Sequence, residues 1–361
     1  MMKSNRILAI MAVSASVVAL PAFSDTIAPE TFSADLALNE SVTIQKTVVV
    51  EATGPKEAVI DVHFLIDTSG SMGAQVNAAK AASSDLFTSL ESSFGDVSAG
   101  VGVFSELASL TDPRPNANAI IGGGLSTDNA TFTANVNQVT LSVPDNGGDF
   151  PESGHTAIAL AGNNLAWRPG SNRFMFVFTD ASAKGDLAGA QASLANNDIS
   201  LVTLSYGTLG TITASYGDGL FAGATVFASS TSVADIISDV TAGITAGFAN
   251  YGAVTVGDLG AGLPLGIEVS TVCTGADIGA CVGAEALGDY DREVDRTFTF
   301  DVTFKRTADG DADFFTNALV DGGIVAREFD SFPSPVPLPA GLPLLMTAFG
   351  ALAFARRRRA A

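Results

Sequence analysis

Cysteine is nearly absent: Cys273 and Cys281 are the only two in 361 residues. Two thiols exclude a Cys-rich zinc site, and their spacing excludes a C-x-x-C redox pair. Histidine is as scarce, with His63 and His155 alone. No H-E-x-x-H, G-x-S-x-G or P-loop string occurs, so the chain is not expected to be an enzyme. Positive charge is the third shortage, with 18 basic residues against 38 acidic ones and a formal charge of −20. Six of the 18 (Lys3, Arg6 and Arg356 to Arg359) lie in terminal segments without an acid, so the middle is more acidic still. That excludes nucleic acid as a partner, since phosphate backbones need a basic face. It suits a protein that meets divalent cations or a salty exterior.

The two ends read as addresses. In residues 1–24, Lys3 and Arg6 precede an apolar run from Ile7 to Leu20, and small residues Ala22 and Ser24 stand before Asp25. This is the layout of a cleaved secretory signal. Export makes a disulfide between Cys273 and Cys281 the expected state of both thiols. Residues 332–361 begin with Pro333, Pro335, Pro337 and Pro339, continue as an apolar stretch to Ala355 and end on the four arginines. Such a segment reads as a C-terminal membrane helix with its arginines in the cytoplasm. With Val336-Pro337-Leu338-Pro339-Ala340 at its head, it closely resembles the VPLPA variety of PEP-CTERM sorting signals. The resemblance implies processing by an exosortase-type enzyme at the surface of a Gram-negative bacterium.

Between these ends, residues 25–55 hold one strand-like segment, Val42 to Glu51, closed by Thr53-Gly54-Pro55. It is too short to be a domain and needs a partner further on. Residues 56–250 alternate strands with helices. Val59 to Ile66 is an apolar run interrupted only by Asp61 and His63, as in a strand buried on both faces of a parallel sheet. It ends in Asp67-Thr68-Ser69-Gly70-Ser71, followed by a helical stripe through Val76, Ala79, Leu86, Leu90 and Phe94. Val97 to Ser105, Arg173 to Asp180, Ile199 to Tyr206 and Thr225 to Ala228 read as strands. Ala157 to Trp167, 187–196 and 232–249 read as helices, and 115–143 as hairpin and loop. This is a doubly wound α/β arrangement with a mostly parallel sheet. Residues 251–331 change character: Thr297 to Phe304 alternates cleanly, and Asp321-Gly322 marks a hairpin, so an antiparallel β-sandwich domain is expected.

The stretch from Asp67 to Ser71 places one carboxylate and two hydroxyls at alternating positions past a buried strand. Such oxygens suit a hard divalent cation, although a polar strand-to-helix turn has the same composition. Asp149-Phe150-Pro151-Glu152 and Thr179-Asp180 follow in order. Together these resemble the metal-ion-dependent adhesion site (MIDAS) of von Willebrand factor A (VWA) domains. The resemblance implies metal ligands Asp67, Ser69 and Ser71 from the first loop, Glu152 or Thr156 from the second, and Asp180 from the third. The family's usual glycine after the third-loop aspartate is Ala181 here. The resemblance also offers Asp149 for a second, flanking cation such as Ca²⁺, where a turn carboxylate is the alternative. His63 and His155 are expected to pack rather than ligate, and Trp167 to pack at a helix end. The Asp309-Gly310-Asp311-Ala312-Asp313 stretch suits a turn better than a Ca²⁺ loop, since the ligand at the twelfth position is missing. Insertion of the α/β domain into the β-sandwich would resemble the integrin β hybrid arrangement.

The expected function is adhesion: a surface-sorted VWA protein in which Mg²⁺ or Mn²⁺ captures the acidic group of a protein or other acidic ligand. The alternative is a structural envelope or biofilm-matrix protein whose ion only stabilises the fold.

Overall fold

The computed structural model describes residues 24–111, 117–141 and 150–334. The chain opens with β1 (Thr26–Ala28), β2 (Thr31–Ser33) and β3 (Ser41–Val50). It then enters an α/β region that starts with β4 (Ala58–Asp67), buried at every position. There follow α1 (Gly73–Phe94), β5 (Gly95–Phe104), α2 (Asn129–Asn137), α3 (Gly154–Asn164) and β6 (Asn172–Thr179). The region closes with α4 (Leu187–Asn196), β7 (Ile199–Ser205), α5 (Leu209–Tyr216), β8 (Thr225–Ala228) and α6 (Val233–Gly247).

The five strands form one parallel sheet in the order β5-β4-β6-β7-β8. Successive side chains of a strand face opposite ways, so β4 feeds two cores. Phe64 and Ile66 join Phe87, Phe132, Phe176, Phe178 and Ile244 under α1, α2 and α6. Leu65 joins Ile158, Met175, Val177, Leu201 and Tyr216 under α3, α4 and α5. Helices on both faces of a parallel sheet make the doubly wound fold, which gathers the loops after β4, β5, β6 and β7 at one end.

Two helices correct the sequence reading. Residues 115–143, expected as hairpin and loop, contain α2. Its polar run is held by a cap, where Asp128 accepts from the Thr131 amide at 2.9 Å, and by Phe132 and Val136 buried four residues apart. Helix α5 likewise hides in a Thr- and Gly-rich stretch, fixed by buried Ile212 and Tyr216.

The rest is antiparallel apart from one parallel pairing. Strands β9 (Asn250–Gly257), β10 (Ile267–Ala276), β11 (Ala280–Val282), β12 (Glu285–Asp291), β13 (Arg296–Arg306), β14 (Ala312–Val320) and β15 (Gly323–Phe332) complete two sheets. One has the order β1-β3-β13-β10, the other β11-β12-β9-β14-β15-β2. Strand β3 pairs with β13 from Val50↔Arg296 to Ser41↔Lys305, and β2 lies parallel to β15. The chain therefore leaves this sandwich after β3 and re-enters it at β9, with the α/β region between. Phe298, Phe300, Val302 and Phe304 point inward at every second position of β13. Asp321 and Gly322, both at positive φ, turn β14 into β15. Cys273 and Cys281 are disulfide-bonded, with Cα atoms 5.3 Å apart.

Several contacts hold the two parts together, three of them buried or partly buried at the seam. Val59, Leu319 and Ile324 form a small buried apolar cluster. Asn172 donates to the carbonyls of Val59 (3.1 Å) and Ile324 (3.0 Å). Arg292 grips both carboxylate oxygens of Asp25 at 2.7 Å, together with the carbonyls of Glu51 (2.8 Å) and Phe248 (2.9 Å). Among the described residues no helix is long and apolar enough to cross a membrane. Residues 1–23 and 335–361, which carry most of the expected signal and sorting segments, lie outside the described residues.

Candidate metal centre

Asp67 is the last residue of β4 and is fully buried. One of its oxygens accepts from the Ser69 amide at 2.8 Å, the other from the Thr179 hydroxyl at 2.7 Å. Backbone alternation turns Thr68 away, and its hydroxyl donates to the Phe104 carbonyl at 3.0 Å. Ser69 and Ser71 fall on the other side, their hydroxyl oxygens 3.3 Å apart. Ser71 belongs to a short 3-10 turn that runs directly into α1.

The second and third loops are stitched together by backbone. The Glu152 amide donates to the Ser182 carbonyl at 2.9 Å, and the Lys184 amide to the Glu152 carbonyl at 2.7 Å. Ser153 ties the same loop to the end of β5, its amide donating to the Ser105 carbonyl at 2.8 Å and its hydroxyl to that of Glu106 at 2.6 Å. The Glu152 side chain is fully buried, yet neither of its carboxylate oxygens has a hydrogen-bond partner. One oxygen of Asp180 is likewise buried and unpartnered. Ala181, in place of the expected glycine, donates its amide to the Thr179 hydroxyl at 3.0 Å without a positive φ, so this loop needs no glycine there.

The electrostatics follow chiefly from burial. Desolvation pushes the Asp67 carboxyl up to about 6; the Ser69 amide and the hydroxyls of Thr179 and Ser69 pull it down, and Asp180 pushes it further up. Desolvation raises Glu152 to about 8, helped by the charges of Asp67 and Glu106, opposed by Lys184 and helped again by Asp180. Four carboxylates, Asp67, Glu106, Glu152 and Asp180, therefore lie closely enough at one end of the sheet for Glu152 to feel the charge of the other three. Oxygen donors only, two of them neutral hydroxyls, are what a hard divalent cation takes. Among the described residues no three His, Cys, Asp or Glu side chains make a metal site by themselves. Any site here depends on the serines as well.

Thr156, the other second-loop candidate, is half-buried in the first turn of α3, where its hydroxyl accepts from the Asp186 amide at 3.2 Å. Asp149 lies outside the described residues. His155 turns away, its Nε2 against the Ser215 carbonyl at 2.9 Å and its ring edge-on to Tyr216 and Phe221. His63 is buried in β4, with Nε2 2.9 Å from the Ala119 carbonyl, and burial lowers it to about 4, so it stays neutral. Trp167 donates to the Gly162 carbonyl at 3.0 Å near the end of α3. In the 309–313 stretch, Asp311 accepts from the Ser334 amide at 2.7 Å.

Tyr216 is a neighbour that sequence reasoning missed. Its hydroxyl is buried without a partner, and desolvation, then the charges of Asp67 and Glu152, hold it well above the usual phenol range. A Cβ on Gly154 would stand 2.0 Å from that hydroxyl, so only glycine lets α3 start here. The spacing Ile212/Tyr216 shows only a core stripe, and nothing in it points to the site.

None of the curated protein sequences matches this chain. Proximal thread matrix protein 1 from the mussel byssus is similar at 15% identity and TM-score 0.37, over 57% of this chain and 48% of that one. The pilus adhesin SpaC from Lactobacillus rhamnosus GG, in an open conformation, is similar at 12% identity and TM-score 0.36, over 81% of this chain and 45% of that one. This chain thus spans about half the length of each. Residues 61–206, from within β4 to just past β7, match the family model of the von Willebrand factor A domain.

Proposed function

We propose that the protein is an exported binding module that holds an acidic group of a partner through a divalent cation, Mg²⁺ or Mn²⁺. The ligands would be Asp67, Ser69, Ser71, Glu152 and Asp180. The observation that carries this reading is Glu152, a buried carboxylate with both oxygens unpartnered beside Asp67. Burying a carboxylate without donors is costly, and a cation removes the cost. The engagement of the Thr156 hydroxyl with the Asp186 amide favours Glu152 as the second-loop ligand. A bound ion supplies a coordination position that an outside carboxylate fills in place of water. Ser69 and Ser71 contribute no charge, so they leave the ion attractive to that carboxylate. Asp67, fixed from both sides by Ser69 and Thr179, positions the first loop. The leader within 1–24 and the VPLPA-type tail within 332–361 support export and sorting to the cell surface.

Thermal unfolding of the chelated protein, titrated with Mg²⁺, Mn²⁺ and Ca²⁺, tests the site. Stabilisation of about 2.7 kcal/mol is expected at a hundredfold excess over Kd, and none in Asp67→Ala. No response in the wild type would sink the proposal. Stabilisation without chelator-sensitive capture on carboxylate-bearing surfaces would leave the structural role, in which the ion only staples three loops.

A further inference from the structure

Far from the sheet end that carries Asp67, the sandwich core encloses a second unusual group of charges. Lys46, on β3, is the only fully buried lysine among the described residues. Its ammonium group touches Glu328 and lies 3.7 Å from an oxygen of Asp330, both on β15 and both fully buried. Glu328 and Asp330 are two apart on one strand, so they share a face of the sheet, opposite the one that carries Lys46. The rings of Phe32 and Phe304 stand 5.1 and 5.3 Å from the Lys46 nitrogen and exclude water from it. The second oxygen of Asp330 accepts from the Thr316 hydroxyl at 2.5 Å, while the first has no hydrogen-bond partner. One oxygen of Glu328 is also unpartnered.

This is more than a structural ion pair requires. Two carboxylates face one cation, so one negative charge is left over unless a proton is bound. Burial raises both carboxyls, Glu328 to about 7, so a proton is available within the group. The other fully buried carboxylates in ion pairs, Asp61 with Arg168 and Asp25 with Arg292, meet guanidinium groups, which are not nucleophiles. Lysine is one, once it loses its proton in an apolar site.

We propose that Lys46 and Asp330 condense to an intramolecular isopeptide bond that joins the two sheets of the sandwich, with Glu328 carrying the proton. The Lys46 ammonium gives a proton to the Glu328 carboxylate. The freed lone pair attacks Cγ of Asp330, present as the neutral acid, and a C–N bond forms. The Thr316 hydroxyl donates to the oxygen that gains charge in the tetrahedral centre, as an oxyanion-hole donor does. The centre collapses with loss of one C–O bond; that hydroxyl leaves with the second amine proton as water. The products are a secondary amide, one water and a neutral Glu328, with no redox partner or cofactor. Removing both charges from a dry core offsets the usual preference for hydrolysis, because a buried ion pair is costly to keep.

The full chain, purified and digested with trypsin after reduction, tests this directly. The peptide that starts at Glu328, after cleavage at Arg327, is expected to be joined to one left uncut at Lys46. The joined species should weigh one water less than the two separate peptides. Lys46→Arg keeps the cation without the nucleophile, and Glu328→Gln keeps the shape without the proton carrier; both should give separate peptides at full mass. Separate peptides from the wild type would overturn the proposal, whatever the variants do. A branch located at Glu328 instead of Asp330 would overturn the assignment of acceptor and carrier.

Discussion

Glu152 and Asp67 set how the stability of the cation-free protein depends on pH. Both folded values lie above the ordinary ones, about 8 against 4.5 and about 6 against 3.8. The folded state therefore binds their protons more tightly than the unfolded chain. The stability this gives is complete below about pH 4 and is lost as pH rises through 6 and then 8. Denaturant unfolding of chelated protein should show stability falling between pH 5 and 8, and saturating Mg²⁺ should flatten that slope because bound ligands stay ionised. Glu152→Gln removes the buried charge. It should stabilise the chelated protein at pH 8 by about 1 kcal/mol while abolishing the response to cation, an opposition that simple loss of fold does not produce. At this scale order along the chain was enough to put Asp67, Ser69 and Ser71 together in one turn at the end of β4. It was silent on Tyr216, whose place beside Asp67 and Glu152 comes from a helix packing across the sheet end.

Among elements, β4 is buried at every position and is tied in at its start by Arg168. Its guanidinium pairs with Asp61 and Asp96, each at 2.6 Å, and also donates to the Ile60 carbonyl at 2.7 Å. Arg168→Ala would leave the fully buried Asp61 with only the backbone amide of residue 168, which donates to it at 2.7 Å. A loss of about 2–4 kcal/mol is expected in denaturant unfolding, with the cation response intact because the site lies at the other end of the strand. Elements with a clear pattern were legible in the sequence: β4 from its largely apolar run, β13 from its alternation and α1 from its stripe. Helix α2 was not, because its Asn/Thr-rich face speaks for loop, while the cap at Asp128 and two buried side chains decide for helix. Strands β1, β2 and β11 are three residues each, too short for any period to register.

The described residues form two packed parts joined by two crossings, one after β3 and one before β9. Arg292 spans both, holding the Glu51 carbonyl before the first and the Phe248 carbonyl before the second, with Asp25 as its counter-ion. Arg292→Ala strands a buried carboxylate and should cost about 3 kcal/mol. Calorimetry should then resolve two unfolding transitions where the wild type gives one, because the crossings no longer share a clamp. The same topology sets how load travels. The end of β4 that carries Asp67 points away from both crossings. Tension applied there reaches the sandwich along two tethers side by side, and each tether continues into a strand zipped edge to edge with neighbours. Neither can peel away alone while the other holds, so a tug at the tip is borne by both sheets together.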